Sequence, residues 1–397
     1  MEQLLTAQNF ILKGIDQDFE RFLGTRINWS HRLIGIKGPR GAGKTTLMLQ
    51  RMKFSGNLAT SLYASADHPF FFQHQLYDLG ADFVQRGGTH LYIDEVHKYP
   101  RWSREIKSLH DSFPQLSIVF SSSSALEIFR GEADLSRRVS VYELPGMSFR
   151  EYLTLQHGFE LPSFGFEDIA HHHLELVGTL PESLYPLAHF SDYLRHGYLP
   201  FTREMEPDEY LKRLLNIITT TLESDLLLTK GYSAANTQKI KRLLGTLAEM
   251  VPYKPNISAL ARNLGIGRDT VLDYLTHLQQ ARLLNFLHSS KTGVSGLRKP
   301  HKILLENPNL SYAFHAQPNV GTLRESFALS QLLNAALEVA QPDQGDLLVG
   351  GTWTIEVGGK RKDGSQLHGL SQAFVAADDR HVGSPGKVPL WLLGFLY

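Results

Sequence analysis

Nine consecutive residues, GPRGAGKTT, have the types and order of a phosphate cradle. Gly38, Gly43, Lys44 and Thr45 satisfy the pattern G-x-x-x-x-G-K-S/T. Glycines let successive backbone N–H groups turn inward around a phosphate, and a helix starting at the loop's end adds partial positive charge. Lys44 would then reach the β- and γ-phosphates, and the Thr45 hydroxyl would ligate Mg²⁺. The expected nucleotide contacts are Gly38, Pro39, Arg40, Gly41, Ala42, Gly43, Lys44, Thr45 and Thr46, and the expected cofactors are ATP and Mg²⁺.

A second stretch, THLYIDEVHKYPRW, follows about 50 residues on. Its apolar Leu91–Ile93 reads as a buried strand that delivers Asp94 to the strand's C-terminal edge, where a carboxylate can hold Mg²⁺ through water. Glu95 is next, placed to polarise an attacking water as general base. In LSIVFSSSSALEIF, Ile118–Phe120 read as a third strand; Ser121 at its end could sense the γ-phosphate, or the four serines could form only a turn and helix cap. Arg137 and Arg138 precede a further strand. They suit bidentate phosphate contact from the same subunit or from a neighbour, or else form a solvated basic turn.

The elements that must position these groups are legible on both sides of the loop. RLIGIK before it reads as a strand and TTLMLQRMKF after it as a helix. From residue 148 to about 228 the pattern becomes helical, in SFREYLTLQ, HFSDYLRHGYLPF and EYLKRLLNIITTTLESDLLL. His171, His172 and His173 are adjacent on one of these stretches; neighbours in a helix point in different directions, so a solvated helix outweighs a metal site.

Residues 236–287 form a different unit. Ile257, Leu260 and Leu264, then Gly265 as a turn, then Val271, Tyr274, Leu275 and Leu278 give the apolar spacing of a helix-turn-helix. Arg262 lies before the turn, and Arg268, Asp269, Thr270 and Asp273 would face outward from the helix after it, where a recognition helix meets the major groove of duplex DNA. From 236 to 302 there are eleven basic residues against three acidic ones, which favours phosphate-backbone contact. The same module can serve as a packing scaffold instead.

In the C-terminal quarter, a helix with Glu325, a strand with Asp346 and a strand with Glu356 and Lys360 have the order of metal-dependent nucleases. A working Glu-x-Lys pair shares one face of a strand. Here four positions separate Glu356 from Lys360, and the two glycines between them suggest a turn or bulge. A degenerate, structural or DNA-holding domain is therefore expected over an active nuclease.

The segments GPRGAGKTT, HLYIDEVHKYPRWSREIKSLHD, SIVFSSSSALEIF and DLSRRVSVYELPGMSFREYL, in that order, resemble the AAA-type P-loop ATPases of bacteria and archaea that carry a C-terminal domain of unknown function. In that resemblance Lys44 and Thr45 match the Walker A residues, Asp94 and Glu95 the Walker B residues, and Ser121 the sensor strand. Arg137 or Arg138 falls where the family has an arginine after its LS turn. The family more often has Thr-Gly-Ser-Ser at the sensor; serine keeps the hydroxyl. The resemblance implies an α/β architecture: a P-loop ATPase core over 1–147 with a parallel sheet, a helical lid over 148–235, a winged helix over 236–300 and a small restriction-endonuclease-like α/β domain over 301–397.

Composition bounds the rest. The 397 residues hold 40 Lys plus Arg and 40 Asp plus Glu, so no global field draws the chain to nucleic acid or anionic lipid. Cysteine is absent, which excludes disulfides, cysteine zinc sites and thiol catalysis. The N-terminus lacks the basic start and apolar run of a signal peptide, and no apolar stretch approaches the roughly 20 residues of a membrane helix. The expectation is a cytoplasmic ATPase coupling nucleotide state to duplex DNA, with a nucleotide-controlled protein switch and an ATP-regulated Mg²⁺-dependent nuclease as alternatives. An arginine supplied by a neighbour would require a homo-oligomer.

Overall fold

The computed structural model describes residues 1–123, 135, 137–225, 233–290 and 299–397. These form two compact units, Met1–Gly146 and Met147–Tyr397.

The first unit is built on five short strands: β1 (Leu33–Lys37), β2 (Ser61–Ser65), β3 (His90–Asp94), β4 (Ser117–Ser122) and β5 (Ser140–Glu143). All pair in parallel, in the order β2-β3-β4-β1-β5. Central parallel strands are covered on both faces, which is why LIGIK and HLYID read as nearly continuous apolar runs. Alternate residues supply the two faces. Leu33, Leu91, Ile93, Ile118 and Phe120 pack with Leu79 of helix α3 (Leu76–Gln85) and with Ile106 and Leu109 of α4 (Trp102–Ser112). Ile34, Ile36, Tyr63, Tyr92 and Val119 pack on the other face with Leu47, Met48 and Met52 of α2 (Lys44–Phe54). Helix α1 (Glu2–Lys13) opens the unit. Because β1 lies between β4 and β5, the C-terminal ends of β1, β3 and β4 are neighbours at one edge of the sheet. That is the P-loop NTPase type of α/β fold expected from the sequence.

The second unit begins with four helices, α5 (Phe149–His157), α6 (Phe166–Gly178), α7 (Pro186–His196) and α8 (Pro207–Thr220). Three more follow, α9 (Ala234–Met250), α10 (Ile257–Leu264) and α11 (Arg268–Gln280), then the antiparallel pair β6 (Leu284–Leu287) and β7 (Lys302–Leu305). Gly265 ends α10 with φ 62°, the left-handed cap that turns the chain into α11. After α12 (Pro308–Phe314) and α13 (Val320–Asn334), a second sheet runs in the order β12-β11-β10-β9-β8. Its strands are β8 (Val339–Ala340), β9 (Leu347–Val349), β10 (Trp353–Gly358), β11 (Ala373–Ala377) and β12 (Lys387–Pro389). β10, β11 and β12 are parallel, and β9 is antiparallel to β8 and β10.

Residues 148–235, 236–300 and 301–397, where described, all lie in this second unit. The apolar chain end explains part of that. Trp391, Phe395 and Tyr397 are buried, and the Tyr397 main-chain oxygen accepts from Ser148 Oγ at 2.8 Å and from Arg150 Nε at 2.9 Å. The start of the helical stretch is thus tied to the last residue. Of the adjacent histidines, His171 and His172 are exposed, but His173 is buried, so the stretch is not solvated all round. Ser124, Lys291 and Arg298 lie outside the described residues.

Candidate functional site

The loop from Gly38 to Gly43 leaves the C-terminal end of β1 and enters α2. Gly38 is required by space: a Cβ there would sit 2.1 Å from the Leu144 carbonyl oxygen. Gly43, the residue before the helix, has φ 93°, a left-handed conformation that favours glycine. Lys44 is buried, and its ammonium donates to the carbonyls of Gly38 at 2.9 Å and Pro39 at 3.0 Å, in the concavity of the loop. Arg21 holds the loop from behind. Its guanidinium donates to the Ala42 carbonyl and, at 2.8 and 3.0 Å, to those of Pro145 and Gly146.

Asp94 is the hub of the site. Its Oδ2 accepts from Thr45 Oγ1 at 2.6 Å and from Tyr63 Oη at 3.0 Å, and its Oδ1 accepts from Ser121 Oγ. Four elements therefore meet on one buried carboxylate: α2, β2, β3 and β4. Burial first, and then the neighbouring Asp94 carboxylate, push the Tyr63 hydroxyl far above its ordinary range, so it stays a donor. Tyr63 was not apparent in the sequence, since only the pairing Tyr63↔Tyr92 and Ser65↔Asp94 brings it there.

Glu95 turns out of β3 with φ 51°, a left-handed conformation rare for a residue with a side chain. Its N–H donates to Ser121 Oγ at 3.1 Å, which ties Glu95 to the β4 serine. Its Oε2 lies 3.9 Å from Arg40 and 3.4 Å from His97 Nε2, and accepts from Ser123 Oγ at 3.4 Å. His97 is buried and reaches Ser122 Oγ at 3.3 Å and Ser123 Oγ at 3.2 Å. Ser121 near the end of β4 and Ser123 just past it thus contact the acidic pair directly.

The two arginines do not join them. Arg137 and Arg138 are exposed and precede β5, whose first residue Ser140 pairs with Ile34 near the start of β1. Since β1 and β5 are parallel, the arginines lie at the edge of the sheet opposite the loop, with the strand length between at about 3.3 Å per residue. Arg138 is bound there, by Nε to Asp111 Oδ1 at 2.7 Å. Strand direction thus places both at the end of the sheet away from the loop of their own subunit.

Residues 30–153, which span the loop, Tyr63, the Asp94–Glu95 pair and the β4 serines but not Arg21, match the AAA domain family. The match shows an AAA domain in this part of the chain. Residues 187–316 match a domain of unknown function. An uncharacterized protein of Methanocaldococcus jannaschii is 28% identical over 291 residues, which are 70% of this chain and 61% of that protein. The chain therefore spans less than two thirds of that relative's length. A Walker-type ATPase of Pyrococcus abyssi superposes with a TM-score of 0.42 at 12% identity, over 75% of this chain and 95% of the other. The AMPPCP-bound DnaA from Aquifex aeolicus superposes with a TM-score of 0.25 at 14% identity, over 69% of this chain and 86% of the other.

Outside the AAA domain, Arg262 and Arg268 line an open hollow of about 780 Å³ at the α10–α11 turn, together with Ser258, Ala261 and residues Gly265–Gly267. Thr270 follows on the first turn of α11 and is half-buried. Among the four C-terminal candidates, Glu325, Asp346 and Glu356 are within electrostatic reach of the same lysine, but that lysine is Lys362. Its ammonium is 2.9 Å from Glu356 Oε1. Lys360 is exposed. The reason is the glycine pair: the chain turns after Gly358, so the fourth residue past Glu356 leaves the strand face and the sixth returns to it. Glu325 is ion-paired with Lys302, and burial raises its carboxyl above the usual range, a shift the lysine opposes. No helix among the described residues is long and apolar enough to cross a membrane.

Proposed function

We propose that the chain is a Mg²⁺-dependent AAA-type ATPase that couples nucleotide state to the binding of duplex DNA. The observation that carries the ATPase reading is Asp94, held by Thr45, Tyr63 and Ser121 directly behind the loop. These residues fit a magnesium nucleotide. The loop is a cradle in which a Cβ at Gly38 would collide, and Thr45 and Asp94 offer a hydroxyl and a carboxylate to one ion. Magnesium, when bound, neutralises charge on the β- and γ-phosphates.

The chain's own residues do the remainder. Lys44 exchanges the carbonyls of Gly38 and Pro39 for phosphate oxygens. Glu95 accepts a proton from the attacking water, and Ser121 fixes its backbone through the 3.1 Å hydrogen bond. Arg40 and His97 flank the Glu95 carboxylate and set its direction.

For the DNA role, the support is the three-helix module with its hairpin. It is read as a winged helix, with α11 as recognition helix and the Arg262 and Arg268 hollow at its N-terminus. On this reading residues 1–147 are the motor, 148–235 its lid, and 236–300 the nucleic-acid module. The test is ATP turnover of the full chain with and without duplex DNA, with Lys44→Ala and Glu95→Gln as controls. Stimulation by DNA that both controls lack is expected. Turnover indifferent to DNA would favour a protein-binding switch, and no turnover would leave GPRGAGKTT a binding site only.

A further inference from the structure

Arg40 is the third residue of the nine-residue loop, between Pro39, whose carbonyl accepts from Lys44 at 3.0 Å, and Gly41, whose φ of 82° turns the chain at once. Its guanidinium reaches the end of β3, 3.9 Å from Glu95 Oε2, and both side chains are half-buried. The loop thus carries a second cation besides Lys44, and that cation faces the carboxylate read above as the general base.

The place of a γ-phosphate follows from two neighbours. Lys44 reaches the β- and γ-phosphates, and Glu95 must stand one water away from the γ-phosphorus to take the water's proton. A phosphate that satisfies both lies between them, beside the guanidinium that spans the same gap. At 3.9 Å the ion pair is longer than a hydrogen bond, so it is loose and readily exchanged. A phosphate offers the planar fork of an arginine two parallel N–H···O bonds and more negative charge than one carboxylate. Glu95 keeps partners after such an exchange: His97 Nε2 and Ser123 Oγ each lie 3.4 Å from its Oε2, and its N–H stays on Ser121. Other arginines of the unit are engaged elsewhere, Arg21 with the carbonyls of Ala42, Pro145 and Gly146, and Arg138 with Asp111.

We propose that Arg40 is a catalytic arginine supplied by the loop of the same subunit, which leaves Glu95 for the γ-phosphate and so releases the general base only when a triphosphate is bound. This role rests on the ATPase reading and adds to it a means of telling ATP from ADP. In the step it serves, a water oxygen bonds to the γ-phosphorus while the bond to the β–γ bridging oxygen breaks. The water's proton passes to Glu95, the electron pair leaves with the diphosphate, and Arg40 meets the charge on the γ-oxygens.

The experiment is calorimetric titration of the full chain with ADP and with a β,γ-methylene analogue of ATP, alongside ATP turnover. Arg40→Ala should bind the analogue about tenfold more weakly, keep its ADP affinity and lose at least about a hundredfold in kcat. Arg40→Lys should recover part of the analogue affinity. Glu95→Gln should tighten the analogue by about threefold or more, because the arginine no longer leaves a carboxylate, and should do nothing in the Arg40→Ala background. Mixing Arg40→Ala with Lys44→Ala should not restore turnover, since each site would still lack one of its own two cations. Equal losses for ADP and the analogue, or a Glu95→Gln effect that persists without Arg40, overturn the exchange. Restored turnover in the mixture overturns action within the subunit. Nucleotide affinity indifferent to Lys44→Ala overturns the ATPase reading, and this role with it; a loss of affinity in Lys44→Ala beside an unaltered Arg40→Ala overturns this role alone.

Discussion

Tyr63 Oη donates to Asp94 Oδ2 at 3.0 Å, on the same carboxylate oxygen that Thr45 Oγ1 reaches at 2.6 Å. A phenol from the neighbouring strand thus fixes the carboxylate that, on the proposed reading, holds the metal. Hydrogen bonds to charged groups are worth about 1.5–3 kcal/mol, and part of that would be withdrawn from the geometry of Asp94. Tyr63→Phe should therefore lower kcat by about tenfold while leaving nucleotide affinity near wild type. Steady-state turnover with nucleotide binding measured in parallel decides it; unchanged kcat would reduce Tyr63 to a packing residue.

Gly38 abuts the segment that closes the first unit, with its missing Cβ 2.1 Å from the Leu144 oxygen. Backbone cannot step aside as a flexible side chain can. Gly38→Ala should weaken nucleotide binding by about tenfold or more, roughly 1.4 kcal/mol. It should also cost about 1–3 kcal/mol of stability through overpacking. Fluorescent-nucleotide titration and urea denaturation measure the two effects, and a variant with wild-type affinity would show that the loop relocates freely.

Arg137 is exposed at the edge of the sheet opposite the loop. A catalytic role for it requires an assembled protein in which it reaches a neighbour's nucleotide. Arg137→Ala should then bind ATP normally but turn over at least about a hundredfold more slowly. Mixing it with Lys44→Ala, which lacks a working loop but keeps the arginine, should restore turnover. An inactive mixture, or full activity of Arg137→Ala alone, would place the arginine outside catalysis.

Burial pushes the hydroxyls of Tyr92 and Tyr152 up to about 12; Arg51 opposes the shift at Tyr92, and Asp192 adds to it at Tyr152. Both folded-state values are raised above the unfolded tyrosine value of about 10. The stability they contribute is complete below pH ~10 and declines as pH rises from ~10 toward ~12, because the unfolded chain releases its protons first. Urea midpoints should fall over that window. Tyr92→Phe should flatten the fall in proportion to one proton, and an unaltered slope would mean that Tyr92 ionises as readily folded as unfolded.

Arg262 and Arg268 line the same hollow at the α10–α11 turn. If that hollow faces the DNA backbone, each Arg→Ala change should weaken duplex binding across sequences and lower the salt slope of log K by about one. Binding measured at several salt concentrations tests this. A slope unchanged in both variants would move the contact to other basic residues.

The sequence by itself determined what depends on contiguous residues. The nine-residue loop, the apolar strand ending in Asp94 and Glu95, and the helix-turn-helix spacing around Gly265 were all legible, because each is local backbone geometry written in residue type and period. What it left open depends on pairing and direction. Tyr63 reaches Asp94 only through the β2–β3 register, a relation between residues 31 positions apart that no local pattern records. Which end of the sheet carries Arg137 and Arg138 follows only from the parallel run of β1 and β5. Lys362, not Lys360, meets Glu356, because two glycines let the chain turn and fold a longer stem back over Gly358. Local propensity specifies which residues can act. The sheet decides which of them meet, because strand order and sense are fixed by burying apolar faces distant in sequence.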